Sequence, residues 1–300
     1  MTNLFNLFLA TRPAFLVITI LGCLLGLLIP QNHLAPSYLA TLSIVVAVTA
    51  HAGANLLNDY FDHRNGSDAI NVKRISPFTG GSRFIQDKTL TPSAIFRLAL
   101  TLLFFSIVAG IYICFETTWL LVPIGAVGIL IAWAYSAPPL ELMSKGILGE
   151  LAIAIAWSLI VIGFATLDAN EIPRGTIPIG IAYGLMVSNI LLINQIPDVD
   201  ADAQVNKNTL ATQFSIKGLN YWYTGIYLTA YLCQIFAVYD GAVSSNTLLT
   251  LLLMPAFLSC TRMLNDAELA RDKLKSLIIR NLVSVHAYAA LMCLCLIKRT

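Results

Sequence analysis

Charged side chains are scarce in this sequence: they make up 11% of its 300 residues, against 57% hydrophobic ones. Soluble domains carry about 25% charged residues. An ordinary soluble globular fold is therefore excluded, and the mean hydropathy of +0.77 agrees. Disorder is excluded too, because a disordered chain lacks apolar residues. Charge imbalance is also missing: 18 basic and 16 acidic residues leave a net charge of +2. A nucleic-acid binder would show a clustered basic excess, so no nucleic-acid partner is expected. Cysteines are few, and none forms a CxxC pair. All six (positions 23, 114, 233, 260, 293 and 295) lie in apolar runs, where small buried hydrophobes are expected rather than metal ligands or disulfides. No small-residue cleavage site follows the first apolar run, so no cleavable leader is expected.

What the chain does have is long apolar runs. Nine are long enough to read as membrane spans: 14–30, 38–57, 94–114, 118–136, 147–167, 177–196, 219–239, 245–264 and 278–297. They are continuous rather than alternating, which favours helices over a β-barrel. The expected fold is an all-α polytopic membrane protein, a single domain over 1–300 with about nine transmembrane helices in a bundle. Sorting Lys and Arg onto alternate sides puts 15 of the 18 on one side. The other holds only Arg174, Lys298 and Arg299. The positive-inside rule then predicts a cytoplasmic N-terminus and an outside C-terminus. Three cytoplasmic loops are long, at 58–93, 197–218 and 265–277, so the active face is expected there. The last has mixed charges at helical spacing and reads as a solvated interfacial helix.

The acids are concentrated where they are informative. The second run ends in Asn55-Leu-Leu-Asn58-Asp59-Tyr-Phe-Asp62, followed by Gly66-Ser67-Asp68. The sixth ends in Asn194-Gln195-Ile-Pro197-Asp198-Val-Asp200-Ala-Asp202. If the helices continue, Asn58 and Asp62 share a face, as do Asn194, Asp198 and Asp202. Both clusters carry Asn-x3-Asp, and the offset is the same for each residue: 194 − 58 and 198 − 62 both give 136. Two such clusters at one membrane face repel each other and need cations. Hard oxygen donors suit Mg²⁺, which binds through a few carboxylates together with substrate phosphates. A diphosphate clamp follows as the expected chemistry. Helix capping explains the clusters poorly, since Asp at a helix C-terminus opposes the macrodipole. Nearby stand Lys73, Arg74, the Gly80-Gly81 pair, Arg83 and Lys207. The glycine pair permits a backbone turn that can face an anion, and the cations could neutralise a leaving diphosphate.

These residues resemble a known family. Asn58-Asp59-x2-Asp62-x5-Asp68 is similar to the first Asp-rich motif of the UbiA superfamily of intramembrane prenyltransferases, and Asp198-x3-Asp202 with Lys207 and Thr209-Leu210-Ala211 to the second. The Gly-Ser-Asp ending is most similar to the dihydroxynaphthoate polyprenyltransferase (MenA-type) branch. Tyr135-Ser136-Ala-Pro138-Pro139-Leu140, Lys145-Gly146, Gly149-Glu150 and Arg12-Pro13 also fit. Asn206 and Asn208 depart from the family's Gly and Arg. Glu141 and Met143 stand where basic residues are frequent.

The resemblance implies a Mg²⁺-dependent enzyme of a cell inner membrane. It would transfer a polyprenyl group from polyprenyl diphosphate to an aromatic quinone-precursor acceptor, as in menaquinone synthesis. Asn58, Asp62, Asp68, Asp198 and Asp202 would hold metal. Lys207, Arg83, Lys145 and Arg74 would hold diphosphate, and Tyr135 and Ser136 would contact substrate. Asp198, Asp59 or Asn194 would orient or deprotonate the acceptor. Another acceptor (hydroxybenzoate, a haem precursor, a lipid glycerol) or a terpene cyclase would use the same clamp. A cation-coupled transporter fits less well, because transport sites lie near the midplane in broken helices. Of the histidines, His51 stands seven residues before Asn58 on nearly the same face and is expected in the core or lining a cavity. His63 sits within the first motif, and His33 and His286 read as structural.

Overall fold

The computed structural model describes residues 2–30, 37–169, 171–265 and 270–297. His33, Lys298, Arg299 and the middle of the 265–277 stretch lie outside them. The regular elements among the described residues are all helical, with no strand beyond one isolated bridge between Lys145 and Asn208. In order these are α1 (Thr2–Ala10), α2 (Pro13–Leu28), α3 (Ser37–Asn65), α4 (Ser67–Ile70), α5 (Pro92–Glu116), α6 (Leu121–Ala134), α7 (Ile147–Thr166), α8 (Thr176–Asn194), α9 (Val199–Gln204), α10 (Leu210–Gln213), α11 (Ile216–Tyr239), α12 (Met254–Leu264) and α13 (Arg271–Ile297). Short 3₁₀ turns precede α7, α9 and α12.

Local chemistry sets several starts. Pro13 and Pro92 occupy first-turn positions, where a missing N–H costs nothing. Thr91 caps α5 by accepting from the Ala94 amide at 3.2 Å, and Ser215 caps α11 from Gly218 at 3.3 Å.

Each of the nine apolar runs is helical, but they are not equivalent. Among the described residues six helices are long and apolar enough to cross a membrane, or seven if α1 and α2, bent by 57°, act as one span. The physical reasons for the rest are visible. At 14 residues, α6 reaches about 21 Å, short of a hydrocarbon core of about 30 Å. Polar side chains dilute α11, but they face inward. Tyr223, Tyr227 and Tyr231 are buried against Phe257 and Tyr288, and Gln234 donates to the Thr247 carbonyl at 2.7 Å. Outward faces are apolar: Phe104, Val108, Ile111 and Phe115 of α5 are exposed, as expected of a lipid-facing surface.

Two hydrophobic clusters build the bundle. One joins α2, α7, α8, α11, α12 and α13; the other joins the inner faces of α3 and α5. α3 does not stop at residue 57 but runs on to Asn65, carrying the first motif on a helix. The sixth run breaks differently. Pro197 lies in a 3₁₀ turn over Ile196–Asp198, so Asn194 and Asp198 are not on one continuous α-helix. The residues 271–277, expected in a separate interfacial helix, form the first turns of α13.

Candidate active site

The ends of α3 and α8 border one cavity at one end of the bundle, where α4 packs on α9. The cavity has a volume of about 320 Å³. Its mouth is polar: Asn58, Asp62, Asp68, Asn71, Asn194, Asp198, Asp202 and Lys207 line it. Its interior is apolar, with walls from α2, α3, α6, α7, α8 and α13.

On α3, the helical spacing places the Asn58 amide 3.0 Å from Asp62 Oδ2. Lys207 joins the motifs: its Nζ lies 2.5 Å from Asp62 Oδ1 and 3.6 Å from Asp202 Oδ1. All three side chains are buried. Burial alone would lower the Lys207 pKa, but Asp62 and Asp202 outweigh it and hold the ammonium charged. The chain 71–82 folds between the motifs. Asn71 Nδ2 donates to Asp198 Oδ1 at 2.6 Å, a link across 127 residues. Gly80 and Gly81 both adopt positive φ, +68° and +70°, and Gly81 lies so close over Asp68 that a Cβ would sit 2.4 Å from Oδ2. Arg83 donates to the Asp68 carbonyl, and Gln86 Nε2 donates to Asp68 Oδ2 at 3.3 Å. Burial first, then Asp62 and Asp59, pushes Asp68 up to about 7.

The structure brings Asn58, Asp62, Asp68, Asp198, Asp202, Asn194, Tyr135 and Lys207 onto one cavity. It does not bring Asp59, Ser136, Arg74, Arg83 or Lys145 to it. Asp59 is turned into an ion pair with Arg12 and accepts from the Ser82 amide at 3.2 Å, so it is occupied rather than poised as a base. Ser136 is fully buried, 3.7 Å from Met143 Sδ. Lys145 is exposed, with Nζ 3.2 Å from the Pro139 carbonyl. Arg83 braces the Asp68 loop instead of lining the cavity. Arg74 packs beside Gly80.

Four contributors were not singled out for the site from the sequence. Arg12, in the left-handed region at φ 57°, fixes Asp59 and lines the cavity. Asn71 ties the motifs together, and its only sequence signal is a third amide just past Asp68. Met143 lines the cavity and accepts from Asn58 at 3.3 Å. Gln195 also lines the cavity, and it donates at 2.8 Å to the buried Glu150, whose Oε2 has no partner among the described residues.

No three Asp, Glu, His or Cys side chains converge into a preformed metal cluster among the described residues. The donor set still fits a hard cation. Four carboxylates face one cavity mouth, and Lys207 is buried there between Asp62 of the first motif and Asp202 of the second. One ammonium does not neutralise that much negative charge, and hard oxygen donors of this kind would suit Mg²⁺.

Comparison with known proteins agrees with this geometry. Residues 16–285 match the UbiA prenyltransferase family. The chain is 28% identical, over 82% of its length and 77% of the other's, to 1,4-dihydroxy-2-naphthoate octaprenyltransferase of Bacillus subtilis (strain 168). Its fold is similar to the apo structure of a UbiA homolog from Aeropyrum pernix K1, with TM-score 0.72 and 14% identity over 95% of this chain and 97% of the other. A UbiA homolog from Archaeoglobus fulgidus bound to DMAPP and Mg²⁺ gives TM-score 0.69 and 14% identity over 96% and 99%.

Proposed function

The chain belongs to the UbiA prenyltransferase family, and from that premise we propose that it transfers a polyprenyl group from its diphosphate to an aromatic quinone-precursor acceptor. One observation carries the reading. Two Asp motifs, the matching residues of each 136 positions apart, share the mouth of one cavity whose interior is apolar.

Asn58, Asp62, Asp68, Asp198 and Asp202 are the residues that would hold Mg²⁺. When bound, the ion supplies positive charge to the diphosphate as the allylic C–O bond breaks. The remaining work falls to the chain itself. Lys207 contributes a fixed positive charge at the mouth, held by Asp62 and Asp202. Asn71 keeps Asp198 and the 71–82 segment in register with the first motif. The apolar walls exclude water from the allylic cation, which would otherwise be quenched to an alcohol. Tyr135 presents a ring on the cavity wall where the cation can be stabilised. Asn194 lines the same cavity and can orient the acceptor. A hydrocarbon tail needs a bilayer, and the exposed apolar faces of α5 provide contact with one.

The nine-helix count, an active face in the cytoplasm, a cytoplasmic N-terminus and an outside C-terminus belong to the same proposal, supported by the 15-to-3 split of basic residues. So does placement in a cell inner membrane. The test is diphosphate release by purified protein given a polyprenyl diphosphate series and 1,4-dihydroxy-2-naphthoate, with and without Mg²⁺. Mg²⁺-dependent release that disappears in Asp62→Ala is expected. No release with any chain length or acceptor, or equal release by Asp62→Ala, removes the proposal.

A further inference from the structure

The inner end of the cavity is not uniformly apolar. His51 on α3, Trp157 on α7 and His286 on α13 all border it. His51 stands seven residues before Asn58, about 10 Å deeper along the helix and on nearly the same face. Each imidazole is fixed at one edge. His51 Nδ1 lies 2.8 Å from Thr19 Oγ1, and the ring meets Trp157 edge-on with centroids 4.9 Å apart. His286 Nδ1 lies 2.7 Å from the Leu282 carbonyl.

These partners assign the tautomers. A carbonyl can only accept, so His286 carries its proton on Nδ1 and leaves a lone pair on Nε2. Thr19 has no other partner among the described residues, so its hydroxyl donates to His51 and the His51 proton sits on Nε2. The deep end of the cavity therefore carries one acceptor edge and one donor edge, from two helices distant in sequence. The ring that His51 meets adds a third polar atom: Trp157 Nε1 is buried without a hydrogen-bond partner among the described residues.

A hydrocarbon tail cannot satisfy any of these groups, and unpaired polar groups in an apolar wall are costly. A hydroxylated aromatic ring can satisfy the two imidazole edges. We propose that His51, Trp157 and His286 form the binding site for the acceptor: a planar hydroxyaromatic whose hydroxyl donates to His286 Nε2 and whose second oxygen accepts from His51 Nε2–H. The ring would then lie against the Trp157 wall, between this end and the diphosphate at the mouth. The inference rests on the prenyltransferase reading above and names the acceptor side of that same cavity.

The test is steady-state kinetics of His51→Leu, His286→Leu and their Gln counterparts, with 1,4-dihydroxy-2-naphthoate and 4-hydroxybenzoate as probe acceptors. The Leu variants are expected to raise the acceptor KM about tenfold, one lost hydrogen bond's worth, and to leave the polyprenyl diphosphate KM unchanged. Gln variants, which keep a polar tip, are expected to recover part of it. A mono-O-methyl acceptor is expected to be penalised by the unsubstituted protein and not by His286→Leu. If the diphosphate KM moves while the acceptor KM does not, this end holds the tail and the inference is wrong. If neither moves in the Gln or Leu variants, the histidines only pack. If the unsubstituted protein turns over no acceptor, it is the prenyltransferase reading that fails, and this inference falls with it.

Discussion

Gly81→Ala isolates what the glycine turn does for the clamp. Gly81 sits at φ +70°, and a Cβ there would lie 2.4 Å from Asp68 Oδ2 and 3.1 Å from its Cγ. Two separate costs follow. The left-handed backbone conformation costs a residue with a Cβ about 1–2 kcal/mol. The contact is well inside van der Waals range, so the Asp68 carboxylate or the turn must move by roughly an ångström. Misplacement on that scale can cost about 100-fold in rate where geometry matters. Gly66→Ala separates the two effects: φ is +89°, but nothing lies within 4 Å of the added Cβ. The assay is diphosphate release titrated with Mg²⁺, together with thermal melting in detergent. Gly66→Ala is expected to melt lower and to keep its Mg²⁺ dependence. Gly81→Ala is expected to melt lower, to need more Mg²⁺ and to lose about 100-fold in kcat/KM. If Gly81→Ala kept both the Mg²⁺ requirement and the rate, Asp68 would not be part of the clamp, and the reasoning from turn to site would fail.

Three further outcomes follow from the same geometry. Lys207→Met leaves Asp62 and Asp202 buried without their cation. Breaking a buried pair in this way costs about 3–5 kcal/mol, so the variant is expected to melt far lower without Mg²⁺ and to recover partly in millimolar Mg²⁺, read by thermal shift. Asp68 is held up at about 7 by burial and neighbouring carboxylates, whereas an unfolded Asp titrates near 4. Between those values the native state binds a proton that the unfolded state does not, so stability falls as pH rises through the window. The metal-free protein is therefore expected to melt higher at about pH 5.5 than at about pH 8, and Mg²⁺ to stabilise it more at the higher pH; an opposite slope refutes the assignment. Asp59→Asn is expected to lower the melting point by loosening Arg12 while folded protein stays within about tenfold of full turnover, whereas Asp62→Asn loses turnover. Equal loss in both would return Asp59 to the reacting centre.

The parts of this fold that were legible in the sequence are those written in local pattern. Continuous apolar runs specify helices because lipid leaves backbone groups no other partner, and all nine runs are helical. The Asn58–Asp62 pair was legible because i,i+4 spacing holds wherever a helix continues, and α3 does continue. The same inference does not carry to Asn194 and Asp198, because Pro197 interrupts the hydrogen-bond ladder. What stayed hidden depends on contacts with no period. Arg12 reaches Asp59 across 47 positions and Asn71 reaches Asp198 across 127. Nothing in either neighbourhood distinguishes a basic residue that braces an aspartate from one that binds substrate. That is why Arg74, Arg83 and Lys145, chosen for their proximity in sequence, lie off the cavity.

The departures from the family pattern now acquire a physical meaning. Asn206 adopts φ 58°, a left-handed conformation that Asn tolerates better than most residues with a Cβ, so the turn before Lys207 survives without glycine. Asn208 acts through its backbone: its carbonyl accepts from Gly146 at 2.5 Å, and its side-chain charge is not needed for that contact. Met143 is different, because it lines the cavity and brings no charge. Arg12 and Lys207 are then the basic side chains on the cavity wall, facing Asp62, Asp68, Asp198 and Asp202. Arg12 is already committed to Asp59. Lys207, itself paired with Asp62 and Asp202, does not balance four carboxylates, so on the proposed function a diphosphate needs added cations to bind here. With Met rather than a basic residue at position 143, the proposed activity is expected to depend steeply on divalent metal, and Met143→Arg to lower the Mg²⁺ concentration needed for diphosphate release.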